Sequence, residues 1–293
     1  MGDPSNSYVY TQSANPWQES LRRLSKNKVA VMGALVFVAI CLVCIFAPFF
    51  TRWDYFSIDA GKSLRSPSVD HFFGTDRFGR DLFARILYGG RVTLRIAFVS
   101  TVLAAVSGSA IGISAGYFSG RADFIISHVL DVLASIPIFL LIIATEAALG
   151  WGKGYFMYAM AIAAMPQFAR LVRASVMSIM GCEYIEAARA LGVSNLQIVV
   201  RHVIHNIVSP LIVRFTSGIA EALILCTIMG YLGIGINPPN PEWGSLIYSS
   251  KSFIRTAPQL MVIPCVFIIL TVVSISVFGD GLRDAIDPRD TVN

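Results

Sequence analysis

Few residues in this sequence have the types and spacing to do chemistry, and each group asks for a different kind. Gly112, Ser114 and Gly116 sit in "GISAG", the G-x-S-x-G spacing that can expose a serine nucleophile, but that chemistry needs a sharp strand-to-helix turn under the serine. His202 and His205 form a close histidine pair, whereas zinc needs a third ligand or the H-E-x-x-H form. Asp131, Arg214 and Glu221 interrupt apolar runs. A charge near the bilayer centre costs at least ~2.5–3.5 kcal/mol, so each marks either a translocation path or a pairing with a neighbouring helix or subunit. Asp131 has three possible partners: the wall of a cavity shared with a second chain, the amino group of a cargo, or Arg214. No G-x-x-x-x-G-K-[ST] stretch occurs, so the chain has no loop of that kind to cradle nucleotide phosphates.

The elements that must position these residues belong to a membrane. Of 293 residues, 55% are hydrophobic and 14% charged, and the mean hydropathy is +0.65, outside the range of soluble globular chains. The net charge of +5 comes without a basic stripe interleaved with aromatics, which argues against nucleic acid. Runs long enough for about 30 Å of hydrocarbon fall near 29–50, 92–117, 125–149, 155–176, 211–229 and 260–278. The expected fold is therefore all-α, an integral membrane protein with six transmembrane helices. Pro166 and Arg170 interrupt the fourth run and Pro137 kinks the third. "GISAG" then lies at the end of an apolar helix, and Gly108, Gly112 and Gly116, four residues apart, read as a small-residue packing face. Cys41, Cys44, Cys182, Cys226 and Cys265 are scattered and read as reduced.

Arg22, Arg23, Lys26 and Lys28 precede the first run and hold the N-terminus in the cytoplasm. Six spans return the C-terminus to the same side. Arg121, Arg170, Arg173, Arg189, Arg201, Arg283 and Arg289 then fall inside, while Lys153, Lys251 and Arg255 fall outside. The exception is the first loop, with seven Lys/Arg against five Asp. The resulting division is a cytoplasmic segment 1–28, a first span 29–50, an external loop 51–91, a five-helix core 92–279 with a cytoplasmic loop at 181–206, and a cytoplasmic tail 280–293.

That cytoplasmic loop carries "EYIEAARALGVSNLQIVVRH", residues 183–202. Its first half is a short helix by propensity, with Ala187, Ala188 and Ala190 as a small-residue surface and Glu186 three residues from Arg189. Gly192 ends it. Ser194 and Gln197 have the spacing of a capping box for a second helix. In that helix Leu196, Val199, Val200, Val203, Ile204 and Ile207 share an apolar face, and Gln197, Arg201, His202 and His205 the polar one. Such a pair lies along the membrane surface and either offers its first helix to a cytoplasmic partner or is an interfacial amphipathic helix with no partner.

Here the residues resemble the EAA loop of ABC-importer permeases, the docking helix for an ATPase subunit. Glu186, Ala187, Ala188 and Gly192 match, with Glu183 and Arg189 on the same short helix. The family's later isoleucine, leucine and proline positions are held by His202, Ile204 and His205, so the ending departs. "FGTDRFGRDLFARILYGGRVTL" (73–94), "PPNPEWG" (238–244) and "GDGLRDAIDPR" (279–289) are similar to signatures of the dipeptide/oligopeptide/nickel branch, in its second permease subunit. The likeness runs from about Asn27 to the end. It implies the type I importer permease fold and ATP-driven uptake of dipeptides or oligopeptides across a bacterial or archaeal cell membrane. The partners it implies are a homologous second permease, two ABC ATPases that bind the ATP and magnesium, and an external binding protein. It implies no cofactor or metal in this chain and no catalysis by it. An ion-gradient-driven secondary transporter using Asp131 or Glu221 is the alternative. "PPNPEWG" is expected as a stiff loop at the external mouth.

Overall fold

The computed structural model describes residues 16–150, 155–236 and 239–286. Residues 1–15, Lys153, Pro238 and Arg289, on which some expectations rest, lie outside the described residues. Among the described residues the chain is helical and has no strand, only an isolated bridge between Thr75 and Asp81.

The order is α1 (Pro16–Lys26), α2 (Lys28–Ile45), α3 (Ala47–Phe50), an irregular segment 51–81, α4 (Leu82–Phe118), α5 (Gly120–Ser135), α6 (Ile138–Leu149), α7 (Phe156–Met180), α8 (Glu183–Ala190), α9 (Asn195–Ile198), a π-helical turn Val199–Val203, α10 (Ile204–Tyr231), α11 (Trp243–Ser250) and α12 (Gln259–Ile286). α2, α4, the continuous stretch Asn195–Tyr231 and α12 are long and apolar enough to cross a membrane.

The third expected span is broken. α5 and α6 are apolar and long enough only together, and they meet at 100°. Pro137 is the cause: its ring excludes helical backbone at the preceding residue, and Ile136 is accordingly extended at φ −82, ψ 129. α7 has 25 residues, about 37 Å at the helical rise, but Gln167, Arg170 and Arg173 keep it out of the apolar set. Among the described residues four helices, or five spans if the bent pair is one, meet the length and composition of a crossing, so these two criteria reach five of the six expected. Two boundaries also move. Asp81 accepts the Ala84 N–H at 2.7 Å and starts α4 at Leu82, ahead of residue 92. α12 runs unbroken into the stretch expected as tail.

α4 and α7 pack through the predicted glycine face. A Cβ at Gly108, Gly112 or Gly116 would lie 2.7 Å from Phe168 Cβ, 2.5 Å from the Ala169 carbonyl and 2.8 Å from Val176 Cβ, respectively. Only glycine permits that approach, and close backbone packing is what drives association where lipid offers no hydrophobic contrast. Ser114 lies within α4, in helical backbone one turn before its end, and donates to the Ala110 carbonyl at 2.8 Å, so "GISAG" is a packing stripe and not a nucleophile turn. Ile142, Phe156, Leu223, Met229 and Ile275, all buried, join α6, α7, α10 and α12 in the main core. All five cysteines are free.

Candidate functional site

The short helix α8 is positioned by its ends and by one anchor. Ile185 is fully buried, which is worth about 2 kcal/mol, while Glu183, Glu186, Ala187, Arg189 and Ala190 are exposed and Ala188 is half-buried. Its C-terminus closes as the sequence indicates. Gly192 N–H donates to the Arg189 carbonyl and Val193 N–H to the Ala188 carbonyl, both within 3.1 Å, a paired closure that needs a left-handed residue. Gly192 supplies it at φ +80. Arg189, spaced to reach Glu186, lies instead over the Tyr117 ring at 5.9 Å.

The expected capping box is present. Ser194 Oγ accepts from Gln197 N–H at 3.4 Å, and Gln197 Oε1 accepts from Ser194 N–H at 3.2 Å. The apolar face beyond it differs from expectation. Ile198, Val203 and Ile207 are buried, whereas Leu196, Val200 and Ile204 are exposed. The π-turn Val199–Val203 adds one residue to a helical turn and rotates all that precedes it by about 100°, so a stripe counted at 3.6 residues comes out of phase. The outcome leaves Leu191 at 84% and Leu196 at 73% exposure beside α8. Gln197, Arg201 and His205 are exposed, and His202 stands 5.9 Å from the Tyr184 ring.

The charges within the spans form two separate sets. Asp131 on α5 pairs with Arg170 on α7 at 2.8 Å, and Arg173 Nη2 donates to Asp123 Oδ2 at 2.7 Å. Arg214 instead grips Glu221, two turns along α10, with both guanidinium–carboxylate contacts at 2.8 Å. It also donates to Gln167 Oε1 and to Ser217 Oγ at 3.2 Å. The link between Asp131 and Arg214 is therefore not made. Glu221 lines a groove of about 290 Å³ between α10 and α12. Among the described residues no group of three metal-ligating side chains occurs.

Sequence reasoning missed two buried carboxylates. Glu242, expected on a surface loop, is 1% exposed. It caps α11, accepting from Gly244 N–H at 2.8 Å, Ser245 N–H at 2.9 Å and Thr93 Oγ at 3.2 Å. Burial pushes its pKa from 4.5 up to about 7, against the lowering effect of those donors. Trp243 is fully buried beside it, its Nε1 donating to the Ile86 carbonyl at 2.9 Å. A Cβ at Gly230 would fall 1.9 Å from Glu242 Oε2, and one at Gly244 2.2 Å from the Thr227 carbonyl oxygen. The connection is a plug set into the helices, signalled in sequence by a Trp between Glu and Gly. Glu146, inside the apolar α6, is 2% exposed and its Oε2 has no partner. Its place in an apolar run was the available signal.

Among the described residues the chain is helical, with an exposed short helix strung between long apolar ones, and the comparisons with known proteins say which family has this architecture. The chain belongs to the family of binding-protein-dependent transport system inner membrane components, whose model matches residues 108–291. The N-terminal TM domain of oligopeptide transport permease C matches residues 15–67, so the likeness starts before Asn27. The dipeptide transport system permease protein DppC of Alkalihalophilus pseudofirmus is 39% identical over 94% of this chain and 91% of its own length. The glutathione transport system permease protein GsiD of Pectobacterium atrosepticum is 37% identical over the same shares. The fold is that of ABC-transporter permeases: the inward-facing MetNI methionine ABC transporter aligns with a TM-score of 0.58 at 22% identity, covering 69% of this chain and 96% of that one. The chain is thus a multi-pass bacterial membrane permease subunit, and the secondary-transporter alternative falls.

Proposed function

We propose that this chain is one of two permease subunits of an ATP-driven importer that takes up dipeptides or oligopeptides delivered by an external binding protein. Two ATPases, which bind ATP and magnesium and carry out the hydrolysis, sit beneath it on the cytoplasmic side, where both termini also lie. The observation that carries the reading is α8. An eight-residue helix closed at its C-terminus, anchored by Ile185 and exposed along most of its length, with Leu191 and Leu196 uncovered beside it, suits a groove on a partner. Docked there it moves as a body, and ATPase closure is transmitted to α7 and α10, between which it is strung. Glu183, Glu186, Ala187, Ala188, Arg189 and Gly192 form the docking surface, and a basic group on the ATPase answers Glu186. Asp131, Glu221 and Arg214 border the path, which the second permease completes.

The test is uptake in proteoliposomes holding this chain, its second permease and its ATPases, with binding protein outside and ATP inside. We expect dipeptide uptake that needs ATP and binding protein together. Uptake driven by a proton or sodium gradient without the ATPases would contradict the proposal.

A further inference from the structure

"GTDRFGRDLFAR", residues 74–85, is unused by the transport reading, and the structure gives it a clear task. Gly79, at φ +74, turns so tightly that a Cβ would lie 1.7 Å from the Asp59 carbonyl oxygen. Asp76 fastens the same turn, accepting from Phe78 N–H at 2.8 Å and Arg80 N–H at 3.0 Å. The result presents Arg77 and Arg80 over the Phe78 ring, 4.5 and 4.7 Å from its centroid. Across from them Lys251 lies 4.2 Å from the Tyr248 ring. An aromatic face holds a cation without neutralising it.

Arg77, Arg80, Arg85 and Lys251 all line one cavity of about 820 Å³, floored by Gly230 and Gly233 at the end of α10, and no carboxylate is among its described lining residues. Asp76 behind the wall serves two of the four cations, Arg80 at 2.7 Å and Arg85 at 3.6 Å. Arg85 is 6% exposed; its Nε faces Asp76 Oδ2 at 3.6 Å, too far for a hydrogen bond, and makes none elsewhere, and its Nη1 reaches only the Tyr55 carbonyl, at 3.2 Å. A buried donor left unmade is costly, and four cations around one space focus a field that attracts anions. The volume is that of a small-ligand pocket, and the unmade donor belongs to a residue buried in its wall. Both features favour a small ligand over a protein surface.

We propose that this cavity is a carboxylate-binding vestibule that takes the terminal carboxylate of an incoming peptide; this deepens, and rests on, the peptide-import reading. Asn240 lines the same space and serves as the reporter. In vesicles holding the intact complex, Asn240→Cys is labelled from outside with an anionic and a cationic methanethiosulfonate, and the chain without that substitution gives the background. The anionic reagent is expected to react about tenfold faster. Dialanine, presented with binding protein, slows it, and dialanine amide does not. Arg77→Gln with Lys251→Gln, both at exposed positions, removes the preference and the protection. Equal rates for the two reagents overturn the proposal, as does equal protection by the amide. Protection by binding protein without peptide also overturns it, because the cavity then receives an acidic surface of that protein. ATP-driven uptake is scored separately in the same vesicles: uptake with no charge preference sinks the vestibule alone, while charge preference without uptake or dialanine protection sinks the peptide carboxylate together with the import reading.

Discussion

α8 and α11 are both eight-residue helices with a glutamate at the N-terminus, yet they are built for opposite purposes. At the start of α11 the residues are committed inward: Glu242 and Trp243 are buried and hydrogen-bonded, and Gly230 and Gly244 have no room for a methyl group. Around α8 almost nothing is committed. Glu183 and Glu186 are exposed, and a Cβ at Gly192 would meet nothing within 4 Å. The same residue types thus serve as a plug where their partners lie within the chain and stay uncovered where they do not. A surface that supplies none of its own partners is available for another subunit's.

The largest expected break in that comparison is Gly244→Val. Its Cβ would meet the backbone of Thr227 at 2.2 Å, which cannot yield as a side chain does, so we expect several kcal/mol of destabilisation and loss of the monodisperse peak in size-exclusion chromatography of the solubilised protein. Gly192→Ala should cost only the left-handed backbone penalty of about 1 kcal/mol and keep the peak. A valine variant as stable as the parent would show that the plug is not packed as described.

A smaller effect follows from Glu242. Its pKa is raised from 4.5 to about 7, so the folded state favours the protonated form. That contribution is fully present below pH 4.5 and is lost as pH rises through 7, at 1.36 kcal/mol per pKa unit about 3 kcal/mol in all. Thermal melting of the solubilised complex should therefore fall between pH 5 and 7.5, and Glu242→Gln should flatten this slope. A slope unchanged by the substitution would assign the pH dependence elsewhere.

The smallest effect on stability is expected at Asp131. Its pair with Arg170 is well exposed, with side chains 64% and 50% accessible, and such pairs contribute ~1 kcal/mol or less. Asp131→Asn should leave the complex assembled while lowering peptide-stimulated ATP hydrolysis. Unchanged stimulation would remove Asp131 from the transport path, and failure to assemble would make it a structural residue.

How legible each region was depends on whether its determinants are local. The closure of α8 at Gly192, the Ser194–Gln197 box and the Gly108, Gly112 and Gly116 face each depend on residues within a few positions or on a simple period, and the structure has all three. The phase beyond Gln197 was not legible, because a π-turn at Val199–Val203 leaves no composition signal and displaces a stripe counted at 3.6. The burial of Glu242 was not legible either. Its partner Thr93 lies 149 residues away, and "PPNPEWG" read locally is only a stiff loop. The pairing of Asp131 with Arg170 instead of Arg214 belongs to the same kind, since the two residues lie 39 positions apart on different helices.

The central claim is that α8 is the contact through which ATPases drive this chain, and co-purification tests it most directly. The tagged permease is extracted with its partner subunits, as the parent chain and as Glu186→Lys with Gly192→Trp, and the ATPase recovered per permease is measured after confirming equal membrane content. Both substitutions lie on the exposed side of the loop, so insertion should be unchanged and the ATPase should be lost. ATPase recovered at the parent ratio from the double variant would contradict the account.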